Sequence, residues 1–374
     1  MPRHLIFPVC CAAMMFGVGC SKPAPSGPSF TASSGAANTN TTSASDSTEP
    51  AATGGVKVSE KQTVAFVTNQ IADFWKIAEA GCKDAEKDLD INVEVRMPSQ
   101  ATAVEQKRII EDLLTSGVAA IAISPIDADN QIEWLNSIAE KVPLITHDSD
   151  APASNRLMCV GMDNYAAGLA CADLVKQALP GGGQVMLFIG RIEQDNSKFR
   201  RQGVIDGLLD RDRTAEFYKS QTNAWDKSDG ELKGERFTVL GTLLDQGKSE
   251  VALAKAEDSI NTYTEMDVMV GLFEYNPPAC YQALKKAGKL DQIKLVGFDE
   301  NEITLQAIKD GECIGTVVQN PYMYGYESAR VLKALLDGDK SVIPESRLID
   351  FPHRVITKEN VDEYWADLKA KKGA

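Results

Sequence analysis

Side chains with binding chemistry recur directly after the apolar, strand-like runs of this chain. They are carboxylates, amides, an arginine and aromatic rings, in segments 69–75, 124–129, 147–150, 191–196, 274–276, 299–301 and 319–320. Carboxylate, amide and guanidinium groups bond hydroxyl groups in fixed geometry, whereas aromatic rings pack on apolar faces. The same segments are poor in the nucleophile-plus-base pairs of catalysis. They therefore predict a binding site for a small polar ligand, and no enzyme.

Neither a metal nor a cofactor is expected. The three histidines, His4, His147 and His353, are scattered along the chain. Segment 226–231 (DKSDGE) places its glycine one position early for a calcium-binding EF-hand loop, which favours a surface turn. The turn after the first strand lacks the glycines of a dinucleotide-binding fingerprint. A formal net charge of −14 argues against nucleic acid as a partner, because phosphate binding requires a basic surface.

The polar segments follow strands that alternate with helices. Apolar runs rich in β-branched residues, such as TVAFVT, VAAIAIS, GGQVMLFIG and IKLVGFD, are each followed by a helical pattern. This alternation predicts α/β architecture, with parallel sheets covered by helices. The chain of 374 residues is too long for one ordinary core, so we predict two doubly wound lobes. Ligands bind such sheets beyond the carboxyl ends of their strands, where the polar segments lie.

The first 59 residues differ in composition from the rest. A short positive region precedes a mostly apolar run over residues 5–18, which ends in GVGC at Cys20. The run is shorter than the about 20 residues of a spanning helix, and small residues before a cysteine resemble a bacterial lipobox. We therefore expect a signal peptide over 1–19 and lipidation of Cys20, with a plain secretory signal as the alternative. The Ser/Thr/Ala/Pro-rich residues 20–59 predict a disordered tether.

Five cysteines follow the predicted anchor, at positions 82, 159, 171, 280 and 313. Their number is odd, and their spacing does not match a metal site. We expect them to be buried as small apolar side chains.

Several motifs, in this order and spacing, resemble periplasmic sugar-binding proteins of the ribose/galactose type, which have the periplasmic binding protein type 1 (LacI-like) fold. They are VAFVT with ADFW, AIAISPIDADN, VPLITHDSDA, GMDNYAAG, NSKFRRQG, LVGFDE and GTVVQNPYMYG. The resemblance implies two lobes joined by three crossings, near residues 162–163, 319–320 and 349–350. It implies an N-lobe over 60–162 and 320–349, and a C-lobe over 163–319 and 350–374.

The resemblance also implies roles for individual residues between the lobes. Phe74 and Trp75 would lie against a sugar ring, and Asp148 would accept hydrogen bonds from its hydroxyls. Arg200 would supply a guanidinium from the C-lobe, and Asp299 would act with Gln319. The complete predicted set is Asn69, Phe74, Trp75, Asp148, Ser149, Asn196, Arg200, Tyr275, Asn276, Asp299 and Gln319. Tyr275 and Asn276 are alternatives for one position.

Two positions depart from the ribose-type pattern, which places an arginine at the position of Ser149 and a polar residue at the position of Ala72. Both departures cast doubt on ribose itself as the ligand. Five of the predicted residues also have an interpretation without a ligand. A Phe-Trp pair at a helix start is typical of a core, Asp148 and Asp299 would suit helix caps, and Arg200 would suit a solvated face.

The resemblance implies an extracytoplasmic solute-binding lipoprotein that captures a small polyhydroxylated ligand, a monosaccharide above all, by closing its lobes. Its partners would be the permease of an ABC-type importer and, through the lipid alone, the membrane of the periplasm or cell envelope. We expect a monomer. The alternative is a sensor that signals to a chemoreceptor or histidine kinase. LacI-type repressors share the fold but carry a helix-turn-helix where this chain has the apolar run and tether.

Overall fold

The structure is a computed structural model, and it describes residues 61–221 and 223–372. The predicted signal peptide over 1–19, the predicted lipidation site Cys20 and the predicted tether over 20–59 lie outside the described residues. Within the described ranges, no helix has both the length and the apolar character needed to cross a membrane.

The first sheet is entirely parallel. Its six strands are β1 (Thr63–Val67), β2 (Asn92–Arg96), β3 (Ala120–Ile123), β4 (Leu144–His147), β5 (Cys159–Gly161) and β12 (Leu348–Asp350). They lie in the order β12-β5-β4-β3-β1-β2. The helices of this lobe are α1 (Asp73–Leu89), α2 (Ala103–Thr115), α3 (Ile132–Ala139) and α10 (Pro321–Leu336).

Both faces of this sheet are buried, because successive side chains of a strand point to opposite sides. Val64 and Phe66 of β1 pack in one apolar cluster with residues of α1 and α10. Ala65 and Val67 pack in another with residues of α2 and α3. A strand covered on both faces must be apolar along its buried length, which explains the continuous apolar run VAFV over residues 64–67.

The second sheet is parallel except at its edges. Its seven strands are β6 (Gly183–Ile189), β7 (Leu232–Lys233), β8 (Phe237–Leu244), β9 (Val268–Gly271), β10 (Lys294–Phe298), β11 (Gly315–Val318) and β13 (Arg354–Ile356). They lie in the order β13-β11-β10-β9-β6-β8-β7, and the two outermost strands, β13 and β7, pair antiparallel. The helices of this lobe are α4 (Asn164–Ala178), α5 (Asp195–Leu208), α6 (Ala215–Ser220), α7 (Ser249–Thr262), α8 (Asn276–Ala287), α9 (Glu302–Asp310) and α11 (Val361–Lys372).

The predicted α/β fold with two mostly parallel sheets is confirmed. The chain passes from the first sheet to the second after β5, returns after β11, and leaves again between β12 and β13. The backbone N–H of Asp163 donates to Asp350 Oδ1 over 3.1 Å, which ties two of these passages together.

The prediction for the cysteines is confirmed as well. All five described cysteines are free and buried. Burial raises the pKa of the Cys82 thiol far above its ordinary value, so this side chain stays a neutral, apolar part of the core.

Candidate ligand-binding site

A cavity lies between the two lobes, at the carboxyl ends of strands from both sheets. Its empty volume is about 420 Å³, including its opening to solvent. Predicted site residues that line it are Asn69, Phe74, Trp75, Asp148, Tyr275, Asp299 and Gln319. Further lining residues are Gln70, Ala72, Arg191, Gln194, Phe273 and Glu274. Both lobes therefore contribute groups to one cavity.

Two of its carboxylates occupy corresponding places in the two lobes. Asp148 directly follows β4 and Asp299 directly follows β10. Both have left-handed backbone conformations, with φ of 57° and 64°. This region is uncommon for residues other than glycine, although Asp tolerates it better than most, and such conformations cluster at functional sites. Neither residue caps a helix, so that interpretation is wrong for both; α9 is capped instead by the side chain of Asn301.

Asp148 is held through one of its carboxylate oxygens. Oδ2 accepts hydrogen bonds from Ser124 Oγ and Asn196 Nδ2, each over 3.1 Å. Within the part of the chain that the structure describes, no residue hydrogen-bonds Oδ1. Burial raises the pKa of Asp148 to about 6, against the opposing effect of the Arg200 charge. One oxygen of an oriented carboxylate thus remains available to a ligand hydroxyl.

Asp299 is held in the same manner. Its Oδ1 accepts from Gln319 Nε2 over 2.8 Å, and Gln319 Oε1 in turn accepts from the Tyr324 hydroxyl over 3.2 Å. Burial raises the pKa of Asp299 to about 7, again opposed by the charge of Arg200. Gln319, which lies at the second passage between the lobes, therefore orients a carboxylate of the C-lobe.

Arg200 lies behind the cavity wall and is not a lining residue. It is fully buried, which makes the interpretation as a solvated face wrong. Its guanidinium donates to Leu272 O over 2.7 Å and to Asn164 Oδ1 over 2.8 Å. It also lies over the rings of Phe298 and Phe273, 3.8 and 4.9 Å from their centroids. Arg200 thus acts on the cavity through its charge, which favours ionised carboxylates.

Phe74 and Trp75 are both core residues and cavity walls. They are 6% and 2% exposed, and their rings meet edge to face with centroids 4.8 Å apart. The indole Nε1 of Trp75 donates to Asn69 Oδ1 over 3.0 Å. Asn69 Nδ2 donates onward to Ser124 Oγ over 3.3 Å, so the aromatic wall and the Asp148 carboxylate belong to one hydrogen-bonded chain.

The remaining predicted residues lie around the lining. Asn196 contacts Asp148, as described above, and Ser149 Oγ is buried with no hydrogen-bond partner in the described part of the chain. Tyr275 lines the cavity and Asn276 does not. Both bond the buried Asp245, through the Tyr275 hydroxyl and Asn276 Nδ2, each over 2.7 Å. The phenol of Tyr275 is therefore engaged, and Tyr275 presents its ring to the cavity.

Several lining residues were missed as individuals, although most of them lie in segments predicted to follow strands. Arg191 Nη2 donates to Gln246 O over 2.5 Å and to Ala101 O over 3.2 Å. The carboxylate of Glu274 accepts a hydrogen bond from Asn301. The position after a strand was the available signal, but a loop has no periodicity that tells which of its side chains turns inward.

Replacing Trp75 by Ala should weaken ligand binding by about 1–3 kcal/mol, because a buried aromatic contact is lost. Its intrinsic fluorescence should change when the wild type binds ligand. The control is Trp365→Phe, because Trp365 packs against the C-lobe core and does not line the cavity. This variant should keep the wild-type affinity. A folded Trp75→Ala variant with unchanged affinity would assign Trp75 to the core alone.

The raised pKa values predict how stability depends on pH. The ordinary value for Asp is 3.8, and the folded values are about 6 for Asp148 and about 7 for Asp299. Folding therefore takes up protons. The contribution of these two carboxyl groups to the free energy of unfolding is most favourable below pH 3.8, and it is lost as pH rises through 6 and 7. Asp299→Asn should raise the melting temperature of the ligand-free protein at pH 8 more than at pH 5. An equal shift at both pH values would contradict the raised pKa.

Comparison with known proteins places the chain in a family. A family model described as a periplasmic binding protein domain matches residues 64–340. The ribose import binding protein RbsB of Salmonella typhimurium is 23% identical over 285 residues, which cover 75% of this chain and 86% of that protein. The D-allose-binding periplasmic protein of Escherichia coli is 24% identical over 292 residues, covering 74% of this chain and 85% of that protein.

A solved structure supports the fold independently. The solute-binding protein of an ABC transporter from Burkholderia graminis, in complex with D-arabinose, superimposes with a TM-score of 0.71 at 23% identity. The match covers 81% of this chain and 97% of that one. The family resemblance predicted from the motifs is thus confirmed. Because the family model spans most of its length, this chain belongs to the periplasmic binding protein domain family.

Proposed function

We propose that this protein binds a monosaccharide or a related polyol between its two lobes outside the cytoplasm. The observation that carries the proposal is the pair of buried carboxylates, Asp148 and Asp299. Each is fixed through one oxygen by neighbouring side chains, beside aromatic walls in the same cavity. The sugars named for the relatives, which are ribose, allose and D-arabinose, support the same ligand class.

The chemistry of a sugar matches this cavity. A sugar ring has apolar C–H faces and a rim of hydroxyls, so it needs flat apolar walls and fixed hydrogen-bond acceptors. Phe74, Trp75 and Tyr275 supply the walls, and the two carboxylates accept from the rim. A buried acceptor left unpaired is costly, so such a site rejects analogues that lack the matching hydroxyl.

Ligand binding would close the lobes. Asp148 belongs to the proposed N-lobe (60–162 and 320–349) and Asp299 to the proposed C-lobe (163–319 and 350–374). A ligand that bonds both carboxylates has a higher affinity for the closed form than for the open form, and this difference drives closure by hinge motion. The hydrogen bond from Asn196 of the proposed C-lobe to Asp148, 3.1 Å in this structure, would help to hold the lobes in the closed form.

A thermal-shift screen tests the ligand class. The ligand-free protein would be heated with D-ribose, D-allose, D-arabinose, D-xylose, D-glucose, D-galactose, xylitol and myo-inositol, with amino acids as controls. A ligand at 100 times its Kd stabilises by about 2.7 kcal/mol, so at least one sugar or polyol should raise the melting temperature by several degrees. If no member of the panel shifts the transition, and an amino acid does, the proposed ligand class is wrong.

The protein would deliver its ligand to the permease of an ABC-type importer, as a lipid-anchored monomer. The alternative is a sensor that passes the signal to a chemoreceptor or histidine kinase. Uptake of the radiolabelled ligand separates the two functions. Deleting the gene should abolish uptake by an importer component, whereas a sensor mutant would retain basal uptake and lose its transcriptional response.

Replacing Cys20 by Ala tests the anchor. The variant should be released from the membrane fraction or remain unprocessed, because the lipid would be the only attachment. Fractionation and intact-protein mass measure this, with Cys82→Ala as a control, since Cys82 is buried in the core. Unchanged fractionation and mass of Cys20→Ala would contradict lipidation.

A further inference from the structure

A second, wider compartment adjoins the inner cavity. Gln70, Ala72, Glu274 and Tyr275 line both spaces, so only these side chains lie where the two spaces meet. Further residues of α1, α7 and α8 line the outer compartment, which we call the outer groove. Its empty volume is about 1090 Å³, against about 420 Å³ for the inner cavity, each including space open to solvent.

The outer groove stays open although the lobes touch elsewhere. Beside the inner cavity, Lys198 of the C-lobe pairs with Asp129 of the N-lobe over 2.6 Å. Nearby, the backbone N–H of Ala128 donates to Glu193 O over 3.3 Å. At the inner end of the groove the lobes also meet, because Gln70 lies against Gly247 and Arg191 Nη2 of the C-lobe donates to Ala101 O of the N-lobe over 3.2 Å. The lobes thus meet on both sides of the inner cavity, and the outer groove remains open to solvent beside the second of these contacts.

Ala72 lies where the inner cavity and the outer groove meet. Its methyl group is the smallest side chain among the four residues that line both compartments. A ring substituent that points away from the carboxylates would have to pass this position to reach the outer groove. A longer side chain at this position would occupy the space through which such a substituent leaves.

The groove lining suits a hydroxyl-rich ring. Ser249, Gln282 and Glu250 are exposed polar groups of the C-lobe wall, and Ile71 of the opposite wall is 59% exposed. Three carboxylates, those of Asp73, Glu250 and Glu274, face one lysine, Lys76. This charge balance disfavours an anionic group, whereas amides, a hydroxyl and an exposed apolar side chain match the rim and face of a sugar.

We propose that the outer groove is a subsite for a second sugar unit, so that the preferred ligand is a disaccharide or another glycoside. The first ring occupies the inner cavity, and the glycosidic bond passes Ala72. This inference rests on the proposed sugar-binding function, and it names the substrate class more closely.

Calorimetric titration of matched sugars tests the subsite. The pairs would be D-glucose with cellobiose, D-galactose with β-1,4-galactobiose, D-xylose with xylobiose, and D-ribose with methyl β-D-ribofuranoside. At least one glycoside should bind about tenfold tighter than its free sugar, which corresponds to about 1.4 kcal/mol.

Ser249→Trp fills the groove from an exposed position at the start of α7. It should abolish that gain and leave the affinity for the free sugar within about twofold. Thr262→Trp, at the exposed opposite end of α7, is the matched control and should change neither affinity.

The outcomes separate the inference from the function on which it rests. If free sugars bind and no glycoside binds more tightly, the subsite is refuted and the proposed function stands. The same holds if glycoside affinity survives Ser249→Trp unchanged. If neither free sugars nor glycosides bind, both proposals fail together.

Discussion

Asp299→Ala is expected to weaken ligand binding by about 2–5 kcal/mol, because it leaves ligand hydroxyls without an acceptor in a site closed to water. The carboxylate that disappears is 2% exposed and is oriented by Gln319 over 2.8 Å. Calorimetry with the sugar identified in the thermal-shift screen measures the loss. Asp291→Ala, on the exposed surface of the same lobe, should leave affinity unchanged.

The stability of the ligand-free protein separates a binding role from a structural one. Burial raises the pKa of Asp299, so at neutral pH this carboxyl opposes folding. Its removal should therefore not lower the melting temperature of the empty protein. Small-angle scattering should show that ligand compacts the wild type, and compacts Asp299→Ala less at the same ligand concentration. Tight binding by the variant, or tight binding by the wild type without compaction, would place the site elsewhere.

Arg200→Met is expected to destabilise the ligand-free protein by about 3–5 kcal/mol, the typical cost of removing one partner from a buried charge network. The substitution removes the donors to Leu272 O and Asn164 Oδ1. It also removes the positive charge that lowers the pKa of Asp148 and Asp299. Denaturant unfolding at neutral pH measures the change in the free energy of unfolding.

The pH dependence identifies the cause of that loss. Without Arg200 the folded pKa values of Asp148 and Asp299 should rise further above the ordinary value, so the loss should grow from pH 5 to pH 8. Arg236→Met is the control, because Arg236 is an exposed arginine paired with Asp210 and such surface pairs contribute only about 0–1 kcal/mol. A loss independent of pH would mean that Arg200 stabilises by packing alone.

Much of the architecture could be predicted from local patterns. VAFV (64–67) and AIAI (120–123) are apolar at every position and lie in parallel strands covered on both faces. The αβ alternation indicates which strands run parallel, and parallel strands place their carboxyl ends at one edge. For this reason segments 147–150 and 299–301, which immediately follow strands, could be selected as cavity segments, and the family resemblance singled out Asp148 and Asp299 within them. The two-residue strand β7 (Leu232–Lys233) could not be predicted, because two residues carry no periodicity.

The direction of each loop side chain required the tertiary structure. Arg200 and Asn196 lie one helical turn apart, and both were predicted to face the ligand. In the structure the guanidinium of Arg200 lies over the rings of Phe298 and Phe273 instead. The sequence pattern did not distinguish Tyr275 from Asn276 as the ligand-binding residue. In the structure both bond Asp245, and the ring of Tyr275 lines the cavity. These choices depend on groups distant in the chain, about which a local pattern carries no information.

The sequence by itself determined the elements, the sheet edges and the residue types at those edges, because each follows from neighbours a few positions away. Only the tertiary structure decided which charges are buried and which hydrogen bonds fix them. The bond between Asn196 and Asp148 joins residues 48 positions apart, and the pKa of Asp148 is raised because the folded chain removes water from around it. Desolvation depends on everything packed around a group, and that surrounding exists only when both lobes have folded.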